Sequence, residues 1–459
     1  MDLDEKVLTR IGKIVFNWKD RNVDFSTYYS FPVYPTFSSN KDTNTLDTML
    51  RLNTFSRLAR SRVAARHYSY STVTSTPGDS HAVEYNGVSY PFRWLRDSCQ
   101  CPECVHPSTR QKLHRTSDIP GDVGPKKDGV KAIPSGLQIQ WQSGHLSFYP
   151  KNLLQAHSTP DNLATFHRDV EPIPWDTEKV TKAPSLFVSF DSLQTKEGLS
   201  AAIDQITKYG LLFMTGVPTE KTTNEECAVR TVANTFGQLR PTFYGETWDV
   251  KNIRNSTNIA YTNLFLGFHT DLQYFNHPPR YQFLHCLRNK VQGGTSLFVD
   301  ALAAAETLRK TNPEDFDLLT STPVKFHYIN DGHHLHNSHP TIELATFPKV
   351  PGEPRPIRFI NYSPPFQAPL PVSTPPEFYT ALERFVALLE EESSRYEYTL
   401  REGDCVMFDN RRVLHARTAF TDEGDVGVDE VNRWLKGCYI EADSVLDQGR
   451  VLRKALEKQ

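Results

Sequence analysis

Hydrophobic residues recur at helical spacing in several segments of this chain. The periodicity predicts helices over residues 198–209, 224–236, 301–310 and 378–391. The last of these has one apolar side, formed by Phe378, Leu382, Phe385 and Leu389. The first is followed at once by Gly210, a residue that commonly ends helices.

Short apolar segments between Pro- and Gly-rich turns have the length of β-strands. The clearest cover residues 211–215, 281–287, 295–300 and 404–409. Many short strands with a few amphipathic helices predict an α+β fold that is mainly β, a jelly-roll barrel with helices packed outside it. We expect this larger domain to begin near Pro184.

Composition limits the functional class. The chain has 459 residues, 38% of them hydrophobic, which is enough for two domains with substantial cores. A net charge of −3 gives no broad basic surface, so nucleic acid is not an expected partner. Mean hydropathy is −0.50, and no apolar run approaches the roughly 20 residues that span a membrane.

Residues 1–78 differ from the rest. Residues 48–78 contain no acid, and five arginines recur among small and apolar residues, namely Arg51, Arg57, Arg60, Arg62 and Arg66. This is typical of a mitochondrial transit peptide, with Met49 as a possible start. The alternative is a basic, disordered tail on a cytoplasmic protein.

Three cysteines lie close together, as Cys99-X-Cys101-X-X-Cys104, in a loop that contains Pro102. Three thiolates at this spacing suit a structural zinc ion that needs one further ligand, whereas disulfides would leave an odd thiol. The candidates for the fourth ligand are His106, His114 and His145. We favour His145, because it occupies a hairpin-like turn, Trp141 to His145, between two alternating segments.

A possible iron site is formed by His269 and Asp271 together with His415, which follows another strand-like segment. Two imidazoles and one carboxylate on one face of a metal leave positions open for a co-substrate and dioxygen. About two His-X-acid triplets are expected by chance in a chain of this composition, so ordinary polar structure is the alternative. A period-2 strand could direct His269 and Asp271 to the same side.

A second group of histidines lies between Lys325 and Pro340. Its members are His327, His333, His334, His336 and His339. Acids at ligand spacing are lacking apart from Asp331, and we expect a solvated loop here.

Several motifs together resemble the gamma-butyrobetaine and trimethyllysine dioxygenases. They are Trp94-Leu95-Arg96-Asp97 with the cysteine cluster, the Trp-X-X-Gly-His turn, Phe243-Tyr244-Gly245-X-Thr247-Trp248, Ala260-Tyr261-Thr262, Phe268-His269-Thr270-Asp271 and Asp409-Asn410-X-Arg412-Val413-Leu414-His415. The resemblance extends from about Tyr85 to the C-terminus.

The resemblance implies a 2-oxoglutarate-dependent hydroxylase of carnitine biosynthesis, with ascorbate as reductant. It implies a small zinc-binding β domain over residues 79–175 and a double-stranded β-helix domain over residues 184–459. By motif match, Fe(II) is assigned to His269, Asp271 and His415, and zinc to Cys99, Cys101, Cys104 and His145. Arg433 matches the arginine that binds the 2-oxoglutarate carboxylate, and Arg417 is the competing candidate.

The resemblance also implies an aromatic cage for a trimethylammonium substrate, a group that cannot donate hydrogen bonds. The matching positions are Tyr244, Trp248, Tyr261 and Tyr439, with Asn258 helping to hold the substrate. The region around Asn361 departs from the family's pattern. We favour gamma-butyrobetaine over trimethyllysine, expect a possible homodimer, and keep an inactive, zinc-stapled binding protein as the alternative.

Overall fold

The structure, a computed structural model, describes residues 73–74, 81–166, 169–251, 259–422 and 431–457. All of them lie in one compact unit, Tyr70–Gln459. The predicted transit peptide, residues 48–72 and 75–78, lies outside the described residues. Among the described residues, no helix combines the length and the apolar character needed to span a bilayer.

The N-terminal part contains two small antiparallel sheets. Its elements are β1 Val73–Thr74, β2 Ala82–Tyr85, β3 Val88–Pro91, α1 Phe92–Asp97, β4 Pro125–Ile133, β5 Gly136–Trp141, β6 Leu146–Pro150, α2 Lys151–Ala156 and α3 Pro160–Phe166. The next helix, α4 Thr177–Thr181, packs through Val180 in the core of the larger part. The sheets β1-β2-β3 and β4-β5-β6 share a hydrophobic core with α1, centred on Leu95, Trp141 and Tyr149. The indole of Trp141 donates to the Ser147 hydroxyl at 2.8 Å, so this buried polar atom is satisfied.

The larger part contributes the remaining strands and helices. The strands are β7 Phe187–Ser189, β8 Leu211–Thr215, β9 Thr247–Lys251, β10 Leu266–His269, β11 Tyr281–Asn289, β12 Val291–Gly293, β13 Ser296–Asp300, β14 Pro323–Asn330, β15 His333–Pro340, β16 Ile342–Leu344, β17 Ile357–Ile360, β18 Arg395–Tyr398, β19 Cys405–Asp409, β20 Val413–Arg417, β21 Phe420–Asp422 and β22 Arg433–Ile440. The helices are α5 Lys196–Tyr209, α6 Ala228–Phe236, α7 Ala301–Thr311, α8 Pro313–Ser321, α9 Pro376–Glu390 and α10 Ala442–Leu456.

Two of the sheets pack against each other and form the barrel. One has six strands in the order β7-β8-β19-β11-β22-β9, and the other has four in the order β10-β20-β13-β18. Phe298 of the smaller sheet packs against Phe213 and Phe408 of the larger, with ring centroids 5.8 and 5.6 Å apart. The predicted jelly-roll with external helices is therefore confirmed.

Helices cover the outer face of the six-stranded sheet. Phe236 of α6 packs on Phe283 of β11 with ring centroids 5.9 Å apart. The helix α5 begins after the Thr195 cap, whose hydroxyl accepts from the Gly198 amide, and it ends at Gly210 in the left-handed conformation. This leaves the opposite, inner face of the sheet for the functional site.

Two predictions about local structure were wrong. The helix predicted from residue 224 begins at Ala228, because the Asn224 carbonyl accepts hydrogen bonds from Arg230 and from the Thr247 hydroxyl instead of starting the helix. The histidine-rich segment is not a loop: β14 and β15 form a hairpin, with Asp331 and Gly332 at positive φ in the turn. An Asp-Gly pair between alternating residues favours this turn.

Candidate active site

The proposed iron ligands meet at the mouth of the barrel. His269 is the last residue of β10 and lies opposite His415 of β20 in the antiparallel register. Their ring centroids are 4.1 Å apart, and Nε2 of His269 lies 3.4 Å from Oδ1 of Asp271. The three residues each offer a ligand atom within 4.8 Å of the others. The sequence predicted that Asp271 lies on the same strand as His269. It lies instead in the turn just after that strand.

The protonation of these residues suits metal binding. Nδ1 of His269 lies 2.9 Å from the Gly267 carbonyl and can donate its proton there, which leaves the lone pair of Nε2 to bind a metal. Burial, and then the neighbouring His269, lower the pKa of His415 to about 3, so this imidazole is neutral. Burial alone would raise the pKa of Asp271, but the neighbouring imidazoles and the hydrogen bond from Tyr439 hold it well below its usual value.

Asp271 is held by two residues that the sequence did not single out for this role. Its amide donates to Oδ1 of Asn410 at 2.7 Å, and Nδ2 of Asn410 donates to the Asp271 carbonyl at 3.1 Å. The Tyr439 phenol donates to Oδ2 of Asp271 at 2.8 Å. Burial and the nearby Asp271 charge raise the pKa of Tyr439 well above its usual value, which keeps this donor protonated.

A cavity opens beside these three residues, and its walls come from both sheets. Arg433 and Arg417 line it together with the predicted cage residues. The remaining lining is largely apolar and includes Leu266, Leu272, Leu284, Phe298 and Phe366. A mostly apolar cavity with a few convergent polar groups is the usual form of a small-molecule site.

The two arginines differ in what their guanidinium groups bind. Arg417 donates to the backbone carbonyls of Ala260, Thr262 and Leu264 at 3.1, 2.7 and 2.6 Å. The Nε of each arginine is buried without a partner, but Arg433, which is 5% exposed, makes no guanidinium hydrogen bond to another described residue. Arg433 is therefore the cationic group of this cavity that remains available to a carboxylate.

The predicted cage residues that the structure describes come together. Tyr244, Trp248, Tyr261 and Tyr439 all line the cavity. Trp248 stacks on Tyr439 with centroids 4.3 Å apart, and Tyr244 lies 6.4 Å from Trp248. A Cβ on Gly437 would approach the Trp248 ring to 2.6 Å, so glycine is required where the indole crosses β22. Asn258 lies outside the described residues.

Gln282 and Ser296 are further polar residues of the cavity, and sequence reasoning missed them. Gln282 is 3% exposed, and its Oε1 has no hydrogen-bond partner among the described residues. Side chains of a strand alternate between its two faces, and Gln282 and Leu284 share one face of β11, so this pattern could have indicated Gln282 from the sequence.

Asn361 is not a lining residue, because its amide is bound to the Pro340 carbonyl at 2.8 Å and to Arg411 at 3.0 Å.

The cysteine cluster forms a second, separate group. Nε2 of His145 lies 3.4, 3.6 and 3.5 Å from the sulfurs of Cys99, Cys101 and Cys104. A tetrahedral zinc with bonds of about 2.3 Å to sulfur and about 2.0 Å to nitrogen separates such atoms by about 3.5 Å.

The two other candidates for the fourth ligand of the cysteine cluster bind elsewhere. Nδ1 of His106 contacts Ser108 and the Thr109 amide, and Nε2 of His114 lies 3.3 Å from Asp97. The same cluster also receives two outer contacts, from Arg96 to Cys104 and between Glu103 and Nδ1 of His145. The donor set of three sulfurs and one nitrogen is thus complete without either of those histidines.

The model of the family described as taurine catabolism dioxygenase TauD, TfdA family, matches residues 176–439, more than half of the chain. The chain belongs to this dioxygenase family. A second model, gamma-butyrobetaine hydroxylase-like, N-terminal, matches residues 79–155. This TauD/TfdA dioxygenase is therefore an enzyme that depends on iron and 2-oxoglutarate.

Individual relatives agree with the family. The dioxygenase is 52% identical to dioxygenase str8 of Strobilurus tenacellus, over 83% of this chain and 89% of that protein. It is 32% identical to gamma-butyrobetaine dioxygenase of Pseudomonas sp. (strain AK-1), over 80% of this chain and 92% of that protein. It is 30% identical to human mitochondrial trimethyllysine dioxygenase, over 80% of this chain and 83% of that protein. The resemblance seen in the motifs is confirmed.

Proposed function

We propose that this enzyme hydroxylates gamma-butyrobetaine to L-carnitine, with 2-oxoglutarate and dioxygen as co-substrates. The observation that carries the proposal is a single cavity that joins the His269, Asp271 and His415 group, an available arginine and a wall of aromatic rings. Similarity to gamma-butyrobetaine dioxygenase over most of both chains supports it.

His269, Asp271 and His415 are the proposed ligands of Fe(II). Two imidazoles and a carboxylate are the donor set of the non-haem iron oxygenases, and here each of the three offers a ligand atom within 4.8 Å of the others. Ferrous iron bound there supplies the redox chemistry that couples decarboxylation of 2-oxoglutarate to hydroxylation. The protein holds the ligands and excludes water around them.

Arg433 is the proposed partner of the 2-oxoglutarate carboxylate. Burial lowers its pKa to about 10, which still leaves the guanidinium charged near neutral pH. The guanidinium carbon lies 5.4 Å from the centroid of the Phe420 ring, a stacking contact that leaves the N–H groups at the edge of the guanidinium for a carboxylate. A planar fork suits a carboxylate, because it can donate two parallel hydrogen bonds.

Tyr244, Trp248, Tyr261 and Tyr439 are the proposed cage for the trimethylammonium group. A quaternary cation is attracted by the negative faces of aromatic rings and needs no hydrogen-bond acceptor. In this arrangement the cage holds the cationic end of the substrate and thereby determines which carbon faces the metal. Asn258 is proposed as a further substrate contact on the strength of the motif alone.

The Cys99, Cys101, Cys104 and His145 cluster is the proposed structural zinc site of an N-terminal domain, residues 79–175, that precedes a catalytic domain of residues 184–459. A closed shell of four protein ligands suits a structural metal ion and leaves no position for a substrate.

Residues 1–78 are the proposed N-terminal targeting extension, with a mitochondrial location suggested by the name of a relative. Ascorbate as reductant and a homodimer complete the proposal.

Trimethyllysine is the alternative substrate, because it carries the same trimethylammonium group and a relative named for it is similar over 80% of this chain. The test is a comparison on one preparation of full-length protein with Fe(II) and 2-oxoglutarate. We expect succinate and hydroxylated product to form faster with gamma-butyrobetaine. A faster reaction with trimethyllysine would reverse the choice, and no product from either would reject both.

A further inference from the structure

The phenol of Tyr439 contacts two different parts of the site. Its hydroxyl lies 2.8 Å from Oδ2 of Asp271, and its ring is stacked on Trp248 at an interplanar angle of 27°. Tyr439 is 2% exposed, so both contacts are shielded from water. An aromatic wall alone would need only the ring.

The two oxygens of the Asp271 carboxylate have different neighbours. Oδ1 lies 3.4 Å from Nε2 of His269, on the side of the metal ligands, whereas Oδ2 accepts the hydrogen bond from Tyr439. A carboxylate free to rotate could present both oxygens to a metal and occupy a position needed by a co-substrate. A hydrogen bond to Oδ2 opposes that rotation.

The backbone of Asp271 is fixed independently of Tyr439. Asn410 binds both its amide and its carbonyl, and the next residue, Leu272, has φ of 59°. Rotation about the side-chain bonds, which turns the carboxylate, is therefore the conformational freedom that this metal ligand keeps. Tyr439 is also fixed, because it lies within β22, opposite Gln282 of β11, and its ring packs on Trp248.

We propose that Tyr439 is a positioning residue for the metal ligand Asp271, holding its carboxylate so that only Oδ1 faces the metal, in addition to forming one wall of the cavity. The proposal rests on the metal site described under the proposed function. It does not depend on which trimethylammonium compound is the substrate.

The test compares Tyr439→Phe with Tyr261→Phe. Each variant removes one hydroxyl from the same cavity and keeps the ring, but only Tyr439 bonds to Asp271. Protein that is free of iron but retains the zinc of its cysteine cluster is titrated with Co(II) in a calorimeter, and thermal unfolding of both variants verifies that they are folded. We expect Tyr439→Phe to weaken Co(II) binding by about 10- to 100-fold, the range found when outer hydrogen bonds to metal ligands are removed.

The control, Tyr261→Phe, should bind Co(II) with an affinity within about twofold of the parent protein's, because the Tyr261 hydroxyl makes no hydrogen bond to His269, Asp271 or His415. Equal Co(II) affinity of parent and Tyr439→Phe would overturn the proposal, as would an equal loss in both variants. If Tyr439→Phe fails to fold, the Co(II) affinity of Tyr439→Gln decides, because its amide can still donate a hydrogen bond and is a poor metal ligand: an affinity within about twofold of the parent's supports the proposal, and a loss of about tenfold or more opposes it. Failure of the proposed function would instead appear as absence of product from the parent protein.

Discussion

The guanidinium of Arg412 binds the carboxylate of Asp300 through two parallel hydrogen bonds, Nε to Oδ1 at 2.9 Å and Nη2 to Oδ2 at 2.7 Å. The side chains are 7% and 0% exposed. Arg412 also donates to the carbonyls of Lys208 and Ile173, and Asp300 accepts from the amides of Trp175 and Leu302. This pair joins β13 to the start of β20, three residues before His415.

Replacement of Arg412 by Ala should lower the free energy of unfolding by about 3–5 kcal/mol, because the Asp300 charge would remain buried without its partner. Urea denaturation measures the change. The control is Arg450→Ala, which breaks the exposed pair with Asp169 and should cost less than about 1 kcal/mol. A loss no larger in Arg412→Ala than in the control would contradict this account of the pair.

Arg433→Lys should raise the KM for 2-oxoglutarate about 10- to 100-fold. Lysine keeps the charge but cannot donate two parallel hydrogen bonds, and the loss of one hydrogen bond to a charged group costs about 1.5–3 kcal/mol. Steady-state succinate formation measures it. Arg417→Lys should change this KM by less than about threefold and instead lower thermal stability, because Arg417 binds three carbonyls. The opposite ranking of the two KM values would assign the co-substrate to Arg417.

Trp248→Leu should weaken the selectivity of the cavity for a quaternary ammonium group. Loss of a cation–π face costs about 0.5–2 kcal/mol, so the KM for gamma-butyrobetaine should rise by about 2- to 30-fold, with the KM for 2-oxoglutarate unchanged. A neutral analogue, with a tert-butyl group in place of trimethylammonium, provides the matched comparison. If the variant discriminates between cation and neutral analogue as well as the parent does, the cage assignment is incorrect.

Gly437→Ala should have a similar effect on the substrate KM without removing any cage ring. Its added Cβ would approach the Trp248 indole to 2.6 Å, so the ring must shift. The measurement is again the KM for gamma-butyrobetaine, beside that for 2-oxoglutarate. A variant with both values unchanged would show that the position of the indole does not matter for substrate binding.

His145→Ala should remove the bound zinc, as should Cys104→Ser, and both should lower the melting temperature. Elemental analysis of purified protein measures zinc per chain. His106→Ala and His114→Ala are the matched controls and should retain it, since these imidazoles bind elsewhere. Zinc retained by His145→Ala and lost from either control would move the fourth ligand to that histidine.

Local periodicity was enough to predict the barrel and most of its helices. The predicted strands 211–215, 281–287 and 404–409 lie in the six-stranded sheet, and 295–300 lies in the four-stranded one, because apolar segments of this length are buried where the two sheets pack. The prediction for α6 failed where a distant residue intervenes. The Asn224 carbonyl accepts a hydrogen bond from the Thr247 hydroxyl of β9, a contact that is not visible in the periodicity.

The sequence alone determined the kinds of chemistry present: two imidazoles and a carboxylate suited to iron, three cysteines suited to zinc, and aromatic residues matching a known family. Only the tertiary structure decided among equivalent candidates, placing His145 and neither His106 nor His114 beside the sulfurs, and leaving Arg433 available while Arg417 binds backbone carbonyls. Residue type fixes which bonds a side chain can make. Which of those bonds it does make depends on neighbours that are brought close only when the two sheets and the N-terminal core assemble.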